Sequence, residues 1–280
     1  MRVFIQSLGS IAVLIAAGAA IAPAQTPVIT PGGVVNAASF TSPVVAGSLI
    51  SIFGSNLAPQ TDVDTAIPLP PTMDGVTVTV NNIPAPLWFI SSGQINAQIP
   101  WEALAAAPPT TNTATAQVVV ATKTGGASAP VSVTIAPAAP AVFTFSGGGS
   151  GQAIAYNYAD ASFASATPIA GYPTVPYRAA KIGDPNPLII YATGLGAVTP
   201  AVSSGSPPPT GIIAYAVTQP TVLIGGVPAT VQFAGLSSSP GVYQLNVTLP
   251  SNTPTGATVT LQIQSNGVTS RDDVTIAVSQ

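Results

Sequence analysis

The carboxylates are the side chains with the shortest route to catalysis in this chain. Asp62 and Asp64 form one close acidic pair, and Asp272 and Asp273 form another. Such pairs could ligate Ca²⁺, which takes six or more oxygens, or act as the two carboxyls of a glycosidase. Neither pair has the spacing of a calcium loop, and nothing sets two carboxyls across a cleft, so solvated loop acids are the simpler reading. Glu102 is the single glutamate, and the chain contains no His and no Cys. That removes Ser-His-Asp and Cys-His catalysis, the commonest general base and every thiolate metal site. No catalytic residue, cofactor or metal is expected, and an Asp-dependent hydrolase is the weakest of the functional readings.

The remaining chemistry is recognition. Trp101 lies just past a strand-ending proline, beside Glu102, and is the best exposed aromatic for contact with a ligand or partner. Trp88 and Phe89 follow a Pro84-Ala85-Pro86 turn and are expected in the core, with a sugar-stacking or docking platform as the alternative. Tyr156, Tyr158, Tyr172 and Tyr177 crowd one stretch together with Phe143, Phe145 and Phe163. They either line a groove between two domains or fill that interface.

One polar pattern occurs twice. In SGQINAQIPWE, residues 92–102, Ile95, Ala97 and Ile99 alternate with Gln94, Asn96 and Gln98, the period of a half-buried strand. YQLNVTLP, residues 243–250, repeats the arrangement with Gln244 and Asn246. Two occurrences in one register favour architecture: the amides would bond loop backbone that otherwise lacks partners. A polar ladder that reads a ligand is the alternative.

These residues are set on strands. Period-2 or wholly apolar runs occur at 48–53, 76–80, 94–99, 116–121 and 131–135, then again at 188–191, 221–224, 242–249, 258–264 and 273–278. Helix-like composition is confined to 102–107 and 162–166. The two strand series match block by block. Ile52-Phe53-Gly54-Ser55-Asn56-Leu57 answers Ile190-Tyr191-Ala192-Thr193-Gly194-Leu195, and Asn82-Ile83-Pro84-Ala85 answers Gly226-Val227-Pro228-Ala229. Gly125-Gly126-Ala127-Ser128 answers Gly267-Val268-Thr269-Ser270. Blocks matched in one order indicate an internal repeat, each unit of about 100 residues and so the size of an immunoglobulin-like sandwich. Between the units, a hairpin is expected from 152–158 and 161–164.

Composition narrows the setting. Charged residues make up 5% of the chain, 5 basic against 8 acidic, while 47% is hydrophobic. So few scattered cations cannot build a phosphate-binding face, which excludes nucleic acid as an expected partner. Surfaces with little net charge associate readily, so self-association is expected to be open to this chain. The 30 Pro and 26 Gly read as punctuation between short strands. Met1-Arg2, an apolar run over 11–21 and Ala22-Pro23-Ala24 make a secretory signal peptide. The run is short for a membrane span, so no retained span is expected.

The block order in each unit resembles the IPT/TIG class of immunoglobulin-like domains. Val34-Val35-Asn36-Ala37-Ala38-Ser39-Phe40, Ser51 to Leu57, Gly93-Gln94-Ile95-Asn96, Tyr191 to Gly196 and Tyr243 to Asn246 together resemble a narrower group. That group is a C-terminal domain family of secreted acidobacterial proteins (Solibacter type). The resemblance implies a secreted β module with no established activity. Asp160-Ala161-Ser162 stands where that pattern has Asp-Gly-Ser.

The expected organisation is all-β: a signal peptide over 1–24, a first immunoglobulin-like sandwich over 25–142, an aromatic-rich connector over 143–186 and a second sandwich over 187–280. The expected role is a non-catalytic exported module, extracellular, at the cell surface or periplasmic, in adhesion, matrix or carbohydrate contact. An accessory module that binds a secreted protein partner through exposed sheet edges is the rival.

Overall fold

A computed structural model describes residues 25–103 and 113–280. The expected signal peptide over 1–24 and most of the helix-like 102–107 stretch lie outside the described residues. Among the described residues the one helical element is a 3₁₀ turn, Trp101–Ala103. The rest is strand and turn, in two β-sandwiches of immunoglobulin-like form.

In the first sandwich the front sheet runs in the order Val28–Asn36, Leu49–Ser55, Gln94–Gln98, Leu87–Ile90, Asp62–Val63. The back sheet is built on Ala114–Thr122, flanked by Val76–Val80 and by Val131–Ile135. Alternation decides what lies between them. Ile50, Ile52, Ile95 and Ala97 from the front meet Val76, Val78, Val118 and Val120 from the back, and all are fully buried. Burying a side chain of this size stabilises by about 1.5–3 kcal/mol, so both sheets are held by their inward rows.

The second sandwich repeats this plan. Its front sheet centres on Leu188–Thr193 and Tyr243–Thr248, and its back sheet on Gly256–Ser265, Thr221–Ile224 and Val274–Ser279. Ile190, Leu245, Val247, Leu261, Ile263 and Ile276 fill its core. The repeat extends to single hydrogen bonds. Ser128 Oγ accepts the Val120 N–H at 3.1 Å, and Ser270 Oγ accepts the Ile263 N–H at 2.9 Å. Asn56 and Gly194, which answer one another in the repeat, both take left-handed backbone, with φ of 55° and 78°.

The aromatic-rich segment 143–186 lies along the second sandwich and supplies strands to both its sheets. Ala155–Asn157 and Ser162–Ala164 form the hairpin and extend the front sheet beside Leu188–Thr193. Gly151–Gln152 and Ala180–Lys181 run parallel to Val274–Ser279 in the back sheet. At the hairpin tip Ala161 adopts φ of 54°, a conformation that suits glycine, while Asp160 Oδ1 accepts the Ser162 N–H and Oγ–H. The turn therefore forms without the expected glycine, at a steric cost on Cβ. Ala161→Gly is expected to raise stability by about 1 kcal/mol in urea unfolding. Equal or lower stability would show that the alanine carries no strain.

Candidate functional site

The front sheet of the second sandwich turns one row of side chains away from its core. Register aligns Tyr177 with Phe163, Phe163 with Tyr156, Tyr156 with Ile189, Ile189 with Asn246, and Asn246 with Phe233. The row thus crosses six neighbouring strands, about 24 Å at roughly 4.8 Å per strand spacing, with Ile189 buried at its centre and the other five members exposed or half-buried. A second row places Tyr191 opposite Gln244, and Gln244 and Tyr215 both opposite Gly235. The rings lean on each other. Tyr156 and Tyr191 have centroids 6.0 Å apart, Tyr215 and Phe233 5.7 Å, and Phe145 stands edge-on to Phe163 at 4.7 Å and to Tyr172 at 5.2 Å.

The structure thus gathers Tyr156, Tyr177 and, through Phe145, Tyr172 on one face with Gln244 and Asn246. Tyr158 stands 63% exposed, past the end of its strand. Burial first, then the neighbouring Tyr191 hydroxyl, pushes the Tyr156 hydroxyl up to about 12. The face carries no charge until its rim. There Arg178 binds Asp160 and also lies 3.5 Å from Asp184.

The repeated amides do not bond loop backbone, as the strand pattern suggested. Gln94 Nε2 donates to Asn96 Oδ1 at 2.8 Å, and Gln244 Nε2 donates to Asn246 Oδ1 at 2.8 Å. Side chains two apart on a strand share a face, so each pair bonds internally, and Asn96 Oδ1 accepts the Ser51 hydroxyl as well. The amide that does bond backbone is Gln98, which sequence reasoning passed over. It is fully buried, donates from Nε2 to Gly47 O at 2.8 Å and accepts the Gly205 N–H on Oε1 at 2.6 Å. The first contact is in its own sandwich and the second is in the other. Its position in the second unit is filled by Thr248, and that lack of repetition is the one signal the sequence offers for it.

Trp101 is also placed differently. It does not stand out from the surface but packs partly buried against both cores, at the seam between the sandwiches. Its ring lies on Gly47, its backbone N–H donates to Ser204 Oγ at 2.9 Å, and that hydroxyl donates to Glu102 at 2.6 Å. Its Nε1 is buried with no partner among the described residues. Thr193 and Asn36 complete the seam. Thr193 Oγ1 accepts the Leu49 N–H at 3.2 Å and donates to Gly241 O, and Asn36 Nδ2 donates to Ala139 O.

Trp88 and Phe89 are not core residues. Register slips between Leu87 and Phe89, where Leu87 faces Ala97 and Phe89 faces Asn96. This β-bulge inserts one residue and re-aims the side chain, so both rings stand half-buried outside the core. With Phe143 and Val63 they wall a groove of about 350 Å³ that has Asn96 in its lining.

Three of the four acids in the two acidic pairs are held by near neighbours in the chain. Asp62 Oδ1 accepts the Val63 N–H, Asp64 Oδ1 the Ala66 N–H, and Asp273 pairs with Arg271. Among the described residues no group of three or more His, Cys, Asp or Glu could hold a metal, and no helix is long and apolar enough to cross a membrane. The Ser162 hydroxyl, helped by Arg178, holds the Asp160 carboxyl down to about 2; the Asn186 N–H lowers Asp184, and Arg271 lowers Asp273. A depressed carboxylate stabilises the fold above its unfolded value near 3.9 and loses that contribution as pH falls through the folded one. These groups are exposed, and such pairs contribute little. Tyr156 and fully buried Tyr243, both raised by burial, act oppositely and cost stability only as pH climbs past about 10. The unfolding midpoint should stay flat from about pH 5 to 9, dip modestly below about pH 4, and fall above about pH 10. A steep loss between pH 4 and 6 would contradict this.

The family comparison agrees with the fold of the first sandwich. Residues 34–137 match the IPT/TIG domain family, so the first sandwich is IPT/TIG-like. No curated protein matches the chain significantly. Among solved structures, the chain is similar to the full extracellular region of plexin A4, domains 1 to 8, at 12% identity and a TM-score of 0.28, over 93% of this chain and 19% of that one. It is similar to the Bacteroides ovatus mixed-linkage glucan utilisation locus protein SGBP-B in complex with a mixed-linkage heptasaccharide, at 12% and 0.32, over 84% and 43%. A third is InvD of Yersinia pseudotuberculosis, at 15% and 0.23, over 91% and 57%. The chain spans less than two thirds of each, and what each binds is a property of that protein.

Proposed function

We propose that this chain is a non-catalytic exported interaction module, of the Solibacter-type secreted group its motifs resemble. Its front faces hold an extended, uncharged polymer, with surface carbohydrate as the class. The aligned row from Tyr177 to Phe233 supports this reading. Aromatic rings supply flat apolar area, and the Gln244–Asn246 pair leaves an amide oxygen and an amide nitrogen for hydroxyl groups. The row is interrupted at its centre by buried Ile189, so an extended chain that touches both halves suits it better than a compact molecule. The test is gel retardation of the purified chain in neutral polysaccharides, with Tyr156→Ala and Tyr177→Ala as probes. Retardation that falls in both variants supports the reading, and free migration in every polymer counts against it.

A second reading, docking of a protein or of another copy, draws on one patch. Ile212, Ile213, Tyr215 and Val217 stand 48%, 52%, 43% and 56% exposed, close to the short edge strand Val198–Thr199. Light scattering across concentration addresses self-association. A strictly monomeric species at high concentration would remove it.

A further inference from the structure

We infer that the groove walled by Trp88, Phe89 and Phe143 is a subsite for one neutral pyranose ring, assembled from both sandwiches. This rests on the carbohydrate reading above and assigns it a principal anchor. The bulge that creates the groove occurs in both units at the same register. Phe89 faces Asn96 after a slip from Leu87, and Phe233 faces Asn246 after a slip from Val231. The inserted residue is Trp88 in the first unit and Gln232 in the second. A shared backbone device therefore presents an indole in one place only.

The opposite wall comes from the other sandwich. Val142 and Ala192 are paired and both buried in the second core. Phe143 then donates its N–H to Tyr191 O at 3.1 Å and continues that ladder. Alternation turns Phe143 away from the second core, towards the face that holds Tyr191. Phe143 lines the groove together with Trp88, Phe89 and Asn96 of the first sandwich. The groove thus joins the two front faces.

Its chemistry selects the occupant. No lining residue is charged. Asn96 Oδ1 already accepts Gln94 Nε2 at 2.8 Å and Ser51 Oγ at 3.0 Å, which fixes the amide orientation and leaves Nδ2 without a partner among the described residues. Apolar ring faces beside one oriented donor match a sugar, which offers a C–H face and hydroxyl oxygens. A polypeptide strand is a poorer match. Gln94–Gln98 is paired on both sides, by Leu49–Ser55 and by Leu87–Ile90, so the strand that carries Asn96 has no free backbone for strand addition, and the open sheet edge at Asp62–Val63 is only two residues long. The volume, about 350 Å³, lies at the small end of the usual range of roughly 300–1,000 Å³ for ligand sites.

The chain has two tryptophans, so Trp101→Phe leaves Trp88 as the sole indole in the full-length protein; because Trp101 lies in the seam, the variant serves as reporter once its gel retardation matches that of the parent chain. That variant is titrated with neutral hexasaccharides (gluco-, xylo- and manno-configured) and with a casein digest, following emission. Gel retardation of Trp88→Ala, Trp88→Phe and Phe143→Ala runs in parallel, with unfolding midpoints as the folding check. The expected result is a saturable emission shift with at least one sugar, and retardation weakened at least tenfold in Trp88→Ala and Phe143→Ala but less in Trp88→Phe. If the parent chain is retarded while Trp88→Ala is unchanged and emission does not move, the subsite is wrong and the broader reading stands. If no polysaccharide retards the parent chain, the broader reading fails and takes the subsite with it. An emission shift with the digest but not with the sugars assigns the groove to peptide and overturns the sugar assignment.

Discussion

Gln98→Leu is expected to cost about 2–4 kcal/mol of stability, although leucine has nearly the same bulk and greater apolarity. The site is fully buried, so shape is kept while two backbone groups lose their partner: Gly47 O and the Gly205 N–H. A buried polar group left unpaired costs about 1–3 kcal/mol, and two are orphaned together. The effect should also show in cooperativity, because one of those groups belongs to each sandwich. Gly205 in turn receives the Leu69 N–H on its carbonyl at 2.8 Å, so the loop around it is clamped to the first sandwich from both sides. Urea unfolding should change from one transition to two as the seam loosens. A single transition with a loss under about 1 kcal/mol would show that the amide is not what joins the units.

How much of this was legible beforehand depends on regularity. Every strand that alternation marks is present, with ends within about two residues of the expected ones. The unmarked strands of four or more residues share one defect, whereas the two-residue strands are too short to show any period. Val28–Asn36, Leu87–Ile90 and Thr230–Leu236 each carry a register slip, at Ile29/Val34, Leu87/Phe89 and Val231/Phe233. A bulge inserts one residue and breaks the period of two on which strand reading depends. The same defect explains Trp88 and Phe89, because adjacent aromatics on a regular strand would point to opposite faces. In the second unit Gly256–Ser265 slips between Gly256 and Val259, and the readable pattern, from 258, begins at the end of that slip.

The seam was illegible for another reason. Leu49 meets Thr193, Trp101 meets Ser204 and Gln98 meets Gly205, each across more than a hundred positions. Nothing local in the sequence encodes such pairs. The internal repeat offered the one usable clue, since residues that two otherwise matched units do not share are those free to specialise. Gln98 against Thr248 and Trp88 against Gln232 both fit that description. The repeated Gln94–Asn96 pair, by contrast, has the same internal bond as its twin and fixes an amide orientation wherever it occurs.

Gly47→Ala should be at least as damaging as the loss of Gln98, and its mechanism can be separated from simple strain. Gly47 has φ of 77°, where any Cβ costs about 1–2 kcal/mol. An added Cβ would also lie 2.1 Å from Cη2 and Cζ2 of Trp101. The indole cannot easily retreat, because it packs against both cores and its backbone is tied to Ser204. Overpacking of this kind costs about 1–3 kcal/mol more, for a total of about 2–5 kcal/mol. Trp101→Phe alone should be mild, since the smaller ring loses apolar area but also removes the partnerless Nε1–H. Combining the two relieves the clash, leaves only the backbone cost, and should recover at least 1 kcal/mol relative to additivity. Strictly additive losses would mean that ring and glycine do not constrain each other. The same pair bears on binding, because Gly47 and Trp101 help set how the two front faces meet. If Phe143 reaches the groove only while that seam holds, Gly47→Ala must weaken polysaccharide retardation under conditions where both sandwiches are still folded.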